Sequence, residues 1–383
     1  MTSPRQHSPL RPLGGSPRRG GRGGGIGGWF GSLSDTWSSF SPRRKFRLLR
    51  SGAILVVLIV LIWALASQCG STGTPVTTAT STTVKSTKRT TTTSTPPVTV
   101  TAALLAKGLP SPHYEGATTV AAGKVVILGG LSKAKASTNV IWQFDPATGA
   151  TTPIGSLLTA QHDGAAGTLG DTPYVFGGAS TKAVLNTIES LAPGAKKSTT
   201  VGTLPMARTS GVGITDSDGP TLYVLGGTDG TNGTNEVLSS IDGVHFQTVA
   251  TLPEPVRYAS AAIIGTQLFV FGGEWNNAQS QSIQLVDLAK QSASVVAKMP
   301  EAVSHAMAFT LNNTIFVAGG RVGGGRSDAI RRFDPTTYTF ANAGTLPSKV
   351  SDASVAAIGN SAFLLGGLAP IATSQIIQIT PSA

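Results

Sequence analysis

The sequence predicts an all-β protein, a six-bladed β-propeller preceded by one transmembrane helix and a disordered tail. Three observations predict it. Six apolar segments ending in a glycine pair recur along the chain, at Gly129-Gly130, Gly177-Gly178, Gly226-Gly227, Gly272-Gly273, Gly319-Gly320 and Gly366-Gly367. Their first glycines lie 48, 49, 46, 47 and 47 residues apart, close to the roughly 50-residue period of one class of propeller blade. Each unit reads as four short strands separated by turn residues, and the chain ahead of residue 98 lacks the pattern altogether. Four regions follow: a basic tail over 1–50, a spanning helix over 51–68, a Thr/Ser/Pro-rich linker over 69–97 and the propeller over 98–383.

The tail carries ten Lys and Arg against the single acid Asp35. Residues 1–28 are rich in Gly, Pro, Ser and Arg, too poor in apolar groups to offset the entropy of folding, and are expected to be disordered. Trp29, Phe30, Leu33, Trp37 and Phe40 follow at spacings that line one face of a short interfacial helix. Gly52 to Ser67 then contains no charge. At sixteen residues it is short for a membrane span, which takes roughly 17 to 25, and it would lean on Arg47 and Arg50 reaching back to the headgroups. Because Arg43, Arg44, Lys45, Arg47 and Arg50 all precede it, the positive-inside rule places the tail in the cytoplasm and the propeller outside, on a single-pass protein of the cell membrane. An uncleaved anchor is the favoured reading. A signal-peptidase site at Ala64-Leu65-Ala66 and a lipoprotein cysteine at Cys69 are the alternatives, and both also export the propeller. Cys69 is the only cysteine, so no intramolecular disulfide exists. The linker, with Thr90 to Thr93 and Pro75, Pro96 and Pro97, reads as a semi-extended stalk.

From position 102 onward the chain holds 16 basic and 17 acidic residues. This near-neutral balance gives no reason to expect the propeller to bind nucleic acid.

Within the first unit, Ala117 to Ala122 is the first strand, Gly123-Lys124 a turn, and Val125 to Gly130 the second strand. Asn139 to Phe144 is the third, Asp145 to Gly149 a turn, and Ala150 to Gly155 the fourth. The Asp-Pro turn returns at Asp334-Pro335, and Thr-Leu-Pro closes fourth strands at 203–205, 251–253 and 345–347. This pattern resembles the kelch repeat family, in which a glycine doublet after the second strand is coupled to an aromatic-Asp-Pro turn after the third. The resemblance runs from about residue 98 to the C-terminus, and the Trp often found in the family's fourth strand is missing here. It implies a propeller, and family propellers often bind through the mouth of the central channel.

The sixth unit stops after its third strand, Ser374 to Ile379, whereas Val98 to Leu104 has a fourth-strand pattern but precedes the first unit. The N-terminal strand is therefore expected to complete the last blade and cover its edge.

Antiparallel connectivity puts the loops between second and third strands on the same face as the links between blades. On that face the candidate ligand-binding residues are Tyr114, Glu115, His162, Asp163, Arg208, Arg257, Tyr258, Trp275, His305, Arg321, Arg326 and Asp352. Trp275 between amides suits stacking on a sugar or peptide. Arg321 and Arg326 suit an anion clamp. The expected role is a binding module for an extracellular glycan, cell-wall component or protein, in a propeller expected to be monomeric. The alternative is an enzyme acting on sugars. One form is a metal-dependent oxidoreductase using His113, His162 and His305, which are vaguely similar in arrangement to the copper-radical oxidases of the kelch superfamily; those resemble a Tyr-Cys crosslinked site, and the propeller has no cysteine. The other is a cofactor-free isomerase or epimerase using Glu115, Arg208, Arg257 and His305. Lone histidines more often serve as hydrogen-bonding groups, and neither a metal nor a cofactor is expected.

Overall fold

The computed structural model describes residues 98–216, 219–276 and 278–382. The expected tail, spanning helix and linker lie outside the described residues. Among those described, no helix is long and apolar enough to cross a membrane, and every regular element is a β-strand.

Six four-stranded antiparallel sheets form the blades. The first is built from Ala117–Ala121, Lys124–Leu128, Thr138–Asp145 and Ala150–Gln161. Blades two to five span 165–203, 212–251, 260–298 and 307–345. The sixth joins Ser354–Ile358, Ser361–Leu365 and Ile376–Pro381 to Val100–Leu104, with Val100 opposite Pro381 and Leu104 opposite Ile377. The fourth strand of blade one runs to Gln161, beyond the expected Gly155. The neighbouring blade supports the extension: Ser156 bridges Lys197, and Ser198 N–H donates to the Ser156 carbonyl at 2.9 Å.

The core follows from the period of two. In the second strand of blade one, Val126 and Leu128 pack toward blade two beside Ala166 and Val175. The intervening Val125 and Ile127 pack toward blade six beside Phe363 and Leu365. Each blade is thus covered on both faces, which is why its second strand is an unbroken apolar run instead of an alternating one. Six buried clusters result, one in each seam between adjacent blades.

The glycine pairs act as latches across those seams. The first glycine of each pair is left-handed, with φ between 58° and 70°. A Cβ there would be driven into a carbonyl of the segment that leads from this blade into the next, at Gln161, Arg208, Val256, Val303, Val350 and His113 in turn. The N–H of the second glycine donates to that same carbonyl at 2.7–2.9 Å in all six seams. Glycine is required because the backbone conformation and the space exclude a side chain together.

Candidate functional site

One residue before the first strand of every blade turns the chain inward. These residues are Glu115, Asp163, Ser210, Tyr258, His305 and Asp352, and none is glycine. All six are left-handed, with φ of 53–61°. Each N–H donates to the carbonyl of the preceding member at 2.8–3.1 Å, and Glu115 closes the circle by donating to Asp352. Each is followed by Gly or Ala. At Gly116 and Gly164 a Cβ would press against Ile127 and Val175 of the second strand, so only a small residue lets the chain dive into the blade. The backbone is therefore one motif repeated six times, and the six side chains are what differs.

Those side chains line a cavity of about 150 Å³ at the propeller centre. Three are carboxylic acids. Burial, reinforced by Asp163 and Asp352, pushes Glu115 up to about 9. Burial and then Asp352 lift Asp163 to about 7, although Ser210 and Tyr258 hydroxyls donate to it across 3.4 Å. Burial also raises Asp352, against the pull of the Ser351 hydroxyl and of Arg321. The Arg321 guanidinium grips Asp352 with two bonds, Nη2 to Oδ1 at 2.8 Å and Nε to Oδ2 at 3.3 Å. Glu115 and Asp163 have no such partner; among the described residues neither forms an ion pair.

His305 stacks on Tyr258 with ring centroids 3.9 Å apart and planes inclined by 20°. Burial and then Arg321, Arg257 and Arg326 hold its pKa down to about 3, so the ring is neutral. Its approaches to Glu274 at 3.6 Å and Asp352 at 3.5 Å are consequently not ion pairs. The tautomer follows from Ser304. That hydroxyl gives its one proton to Glu274 Oε1 at 2.7 Å, so it can only accept from His305 Nδ1 at 3.0 Å. Nδ1 carries the hydrogen, and Nε2, 3.5 Å from Asp352 Oδ1, keeps its lone pair.

Five of the expected residues, Glu115, Asp163, Tyr258, His305 and Asp352, therefore meet in one cavity. His162 stands beside it, its Nδ1 3.0 Å from Ser137 Oγ. Arg321, expected with Arg326 to clamp an anion, is not among the residues lining the cavity and binds Asp352 through Nη2 and Nε. Arg326 donates through Nε to Ser351 at 2.9 Å. Trp275 is half-buried, and its six-membered ring packs against Gly233 of the neighbouring blade's loop, which leaves less of it open as a stacking platform. Tyr114 is buried beside the ring, its backbone paired with Leu131, and is not among the residues lining the cavity.

Arg208 is buried, donating to Glu236 at 2.9 Å and to the Gly226 carbonyl at 3.3 Å. It ties blade two to blade three, and its expected place in the mouth is taken by Ser210, two residues on. Arg257 lies over the Tyr258 ring at 5.5 Å and 3.7 Å from Glu274. With Arg208 and Arg257 outside the cavity lining, the four-residue epimerase set is not assembled. His113 is buried in the seam between blades six and one, packed against Gly130, so the three-histidine metal set is not assembled either. Ser210 could have been found from its spacing, 47 residues from Asp163 and 48 from Tyr258, and from the Gly that follows it.

These features define a class: a six-bladed repeat propeller whose blades are latched by glycine pairs and whose variable groups gather at one central mouth. Residues 165–367 match the family model described as the KLHDC2/KLHL20/DRC7 Kelch-repeats domain. That match covers just over half of the 383 residues, and the chain belongs to this family. Kelch propellers of this kind are typically protein-interaction modules. No curated protein matches the chain.

Proposed function

We propose that this protein is a membrane-tethered interaction module that docks a protein partner over the central mouth of its propeller. The observation that carries the reading is the ring of six left-handed residues. A side chain in that conformation costs about 1 kcal/mol or more at each position, a cost that glycine avoids. In the latches, where backbone conformation and lack of space together exclude a side chain, this chain uses glycine. In the ring it keeps Glu, Asp, Ser, Tyr, His and Asp, which argues that the side chains themselves are used. A protein ligand is preferred to a glycan because Trp275, the ring best suited to stacking on a sugar, is folded onto Gly233.

The test is site-specific photocrosslinking in the cells that make the protein. A crosslinking side chain at Ser210 should capture a discrete partner, and one at Thr336, in a turn of the opposite face, should not. Equal capture from both positions, or none from Ser210, would overturn docking at the mouth.

The tether rests on the sequence: an uncharged run over 52–67 behind five basic residues, then a stalk. It places the propeller outside the cell. Cys69, the only cysteine, follows the run directly and is a built-in reporter. On intact cells a membrane-impermeant maleimide should label it, and labelling only after permeabilisation would reverse the orientation.

A further inference from the structure

The mouth holds two carboxyl groups that the docking reading does not use. Asp352 is answered by Arg321, and Glu274 by Arg257 and Ser304. Glu115 and Asp163 face the same cavity with no cationic side chain paired to either among the described residues. His162 joins them: one oxygen of each carboxylate and one ring nitrogen lie within 4.8 Å of one another. The His162 Nδ1 also lies 3.0 Å from Ser137 Oγ.

A second observation points the same way. The His305 side chain, only 3% exposed, lines the same cavity, and among the described residues its one hydrogen bond is made through Nδ1 to Ser304. The polar neighbour of Nε2 is Asp352 Oδ1 at 3.5 Å, itself an acceptor. Two carboxyl groups and two imidazoles gathered at one cavity, with no cationic side chain paired to Glu115 or Asp163 among the described residues, suit a positive centre.

We propose that Glu115, His162 and Asp163 bind one divalent metal ion at the base of the central mouth. Two carboxylates and an imidazole form a mixed oxygen and nitrogen set of the kind that suits zinc or manganese, and no thiolate is available in the propeller to favour a softer ion. The adjacent triad of Glu115, His305 and Asp352 is the poorer host, because Arg321 already occupies both oxygens of Asp352. The Ser137 hydroxyl would orient His162 as outer partners commonly orient ligating histidines.

The test uses the full-length protein, stripped with a chelator and titrated with Zn²⁺ and Mn²⁺ by calorimetry. One ion per chain should bind. Glu115→Gln, Asp163→Asn and His162→Ala should each weaken binding by about tenfold or more, while Asp334→Asn, in a turn on the far face, should not. A folded wild-type chain that takes up neither metal, or variants that bind as well as wild type, would overturn the proposal. A measurement on wild type guards against variants that misfold: the spin-echo modulation of bound Mn²⁺ should show one directly coordinated imidazole nitrogen, and its absence would equally overturn the site. The metal site does not rest on partner docking. The titration needs no partner, so either proposal can fail alone.

Discussion

Gly272 and Gly265 lie seven residues apart in blade four, and both are left-handed, with φ of 58° and 52°. Only their surroundings differ. A Cβ on Gly272 would be forced into the Val303 carbonyl, in the link from blade four to blade five, whereas one on Gly265 meets open space. Gly265→Ala should therefore cost only the backbone term, about 1 kcal/mol. Gly272→Ala adds displacement of a neighbouring main chain, and about 3 kcal/mol or more is expected. Denaturant unfolding of the two variants checks this, and equal losses would mean that the latch is not tight. The latches were legible in the sequence because each blade needs the same close contact with its neighbour, so the glycine pair returns once per blade. The site was legible only in part, and the reason is chemical. Arg208 and Trp275 look like ligand-binding residues by type, yet one is consumed by Glu236 and the other packs against Gly233. Side-chain type says what a group can do, but which neighbour takes it up depends on the seam between blades, which a single unit's sequence does not contain. Ser210 shows the converse, an unremarkable residue made a ring member by its register alone.

At the scale of the strand, the repeat dictated pattern more firmly than length. The apolar second strands lie where their hydrophobic runs lie, because burial on both faces leaves no room for a slipped register. Outer strands are governed by weaker rules. In blade one the fourth strand continues to Gln161, and the pairing of third and fourth strands shifts register at Ile141/Trp142. Comparable shifts fall at Ile188/Glu189, Val237/Leu238, Ile283/Gln284 and Ile330/Arg331. A bulge at the same place in five blades adds twist to the outer edge, and nothing in the alternation of these short, half-exposed strands marks it. The strand Val100–Leu104 has a role beyond pairing with Ile376–Pro381. Val100 is buried among Ala343, Leu346 and Ile379, so the strand also closes the seam between blades five and six. Gly344 lies against its carbonyl, leaving no space for a side chain between them.

For the molecule as a whole, the consequence of six equivalent seams is that the ring has no privileged starting point. Residues 99 and 382 are adjacent in space, with Ser382 N–H donating to the Thr99 carbonyl at 2.8 Å. Joining residues 98 and 382 by a short linker would make the propeller a continuous loop that can be reopened elsewhere. Opening it between Gly265 and Thr266, in an exposed hairpin turn away from the latches, severs no bond between blades. That permutant should fold to the same ring, melting within a few degrees of the parent, as permutations at exposed turns generally do. Opening between Gly272 and Gly273 cuts the chain within a latch, where Gly273 N–H meets the Val303 carbonyl at 2.8 Å. The ends created there must satisfy both the blade and the seam, so this permutant should lose much of its stability or fail to fold. Comparing the two by thermal melting separates a ring held by its seams from one held by chain continuity. If both permutants melted like the parent, the latches would contribute little; if both failed, the natural order of blades, starting from the strand at Val100, would be required for folding.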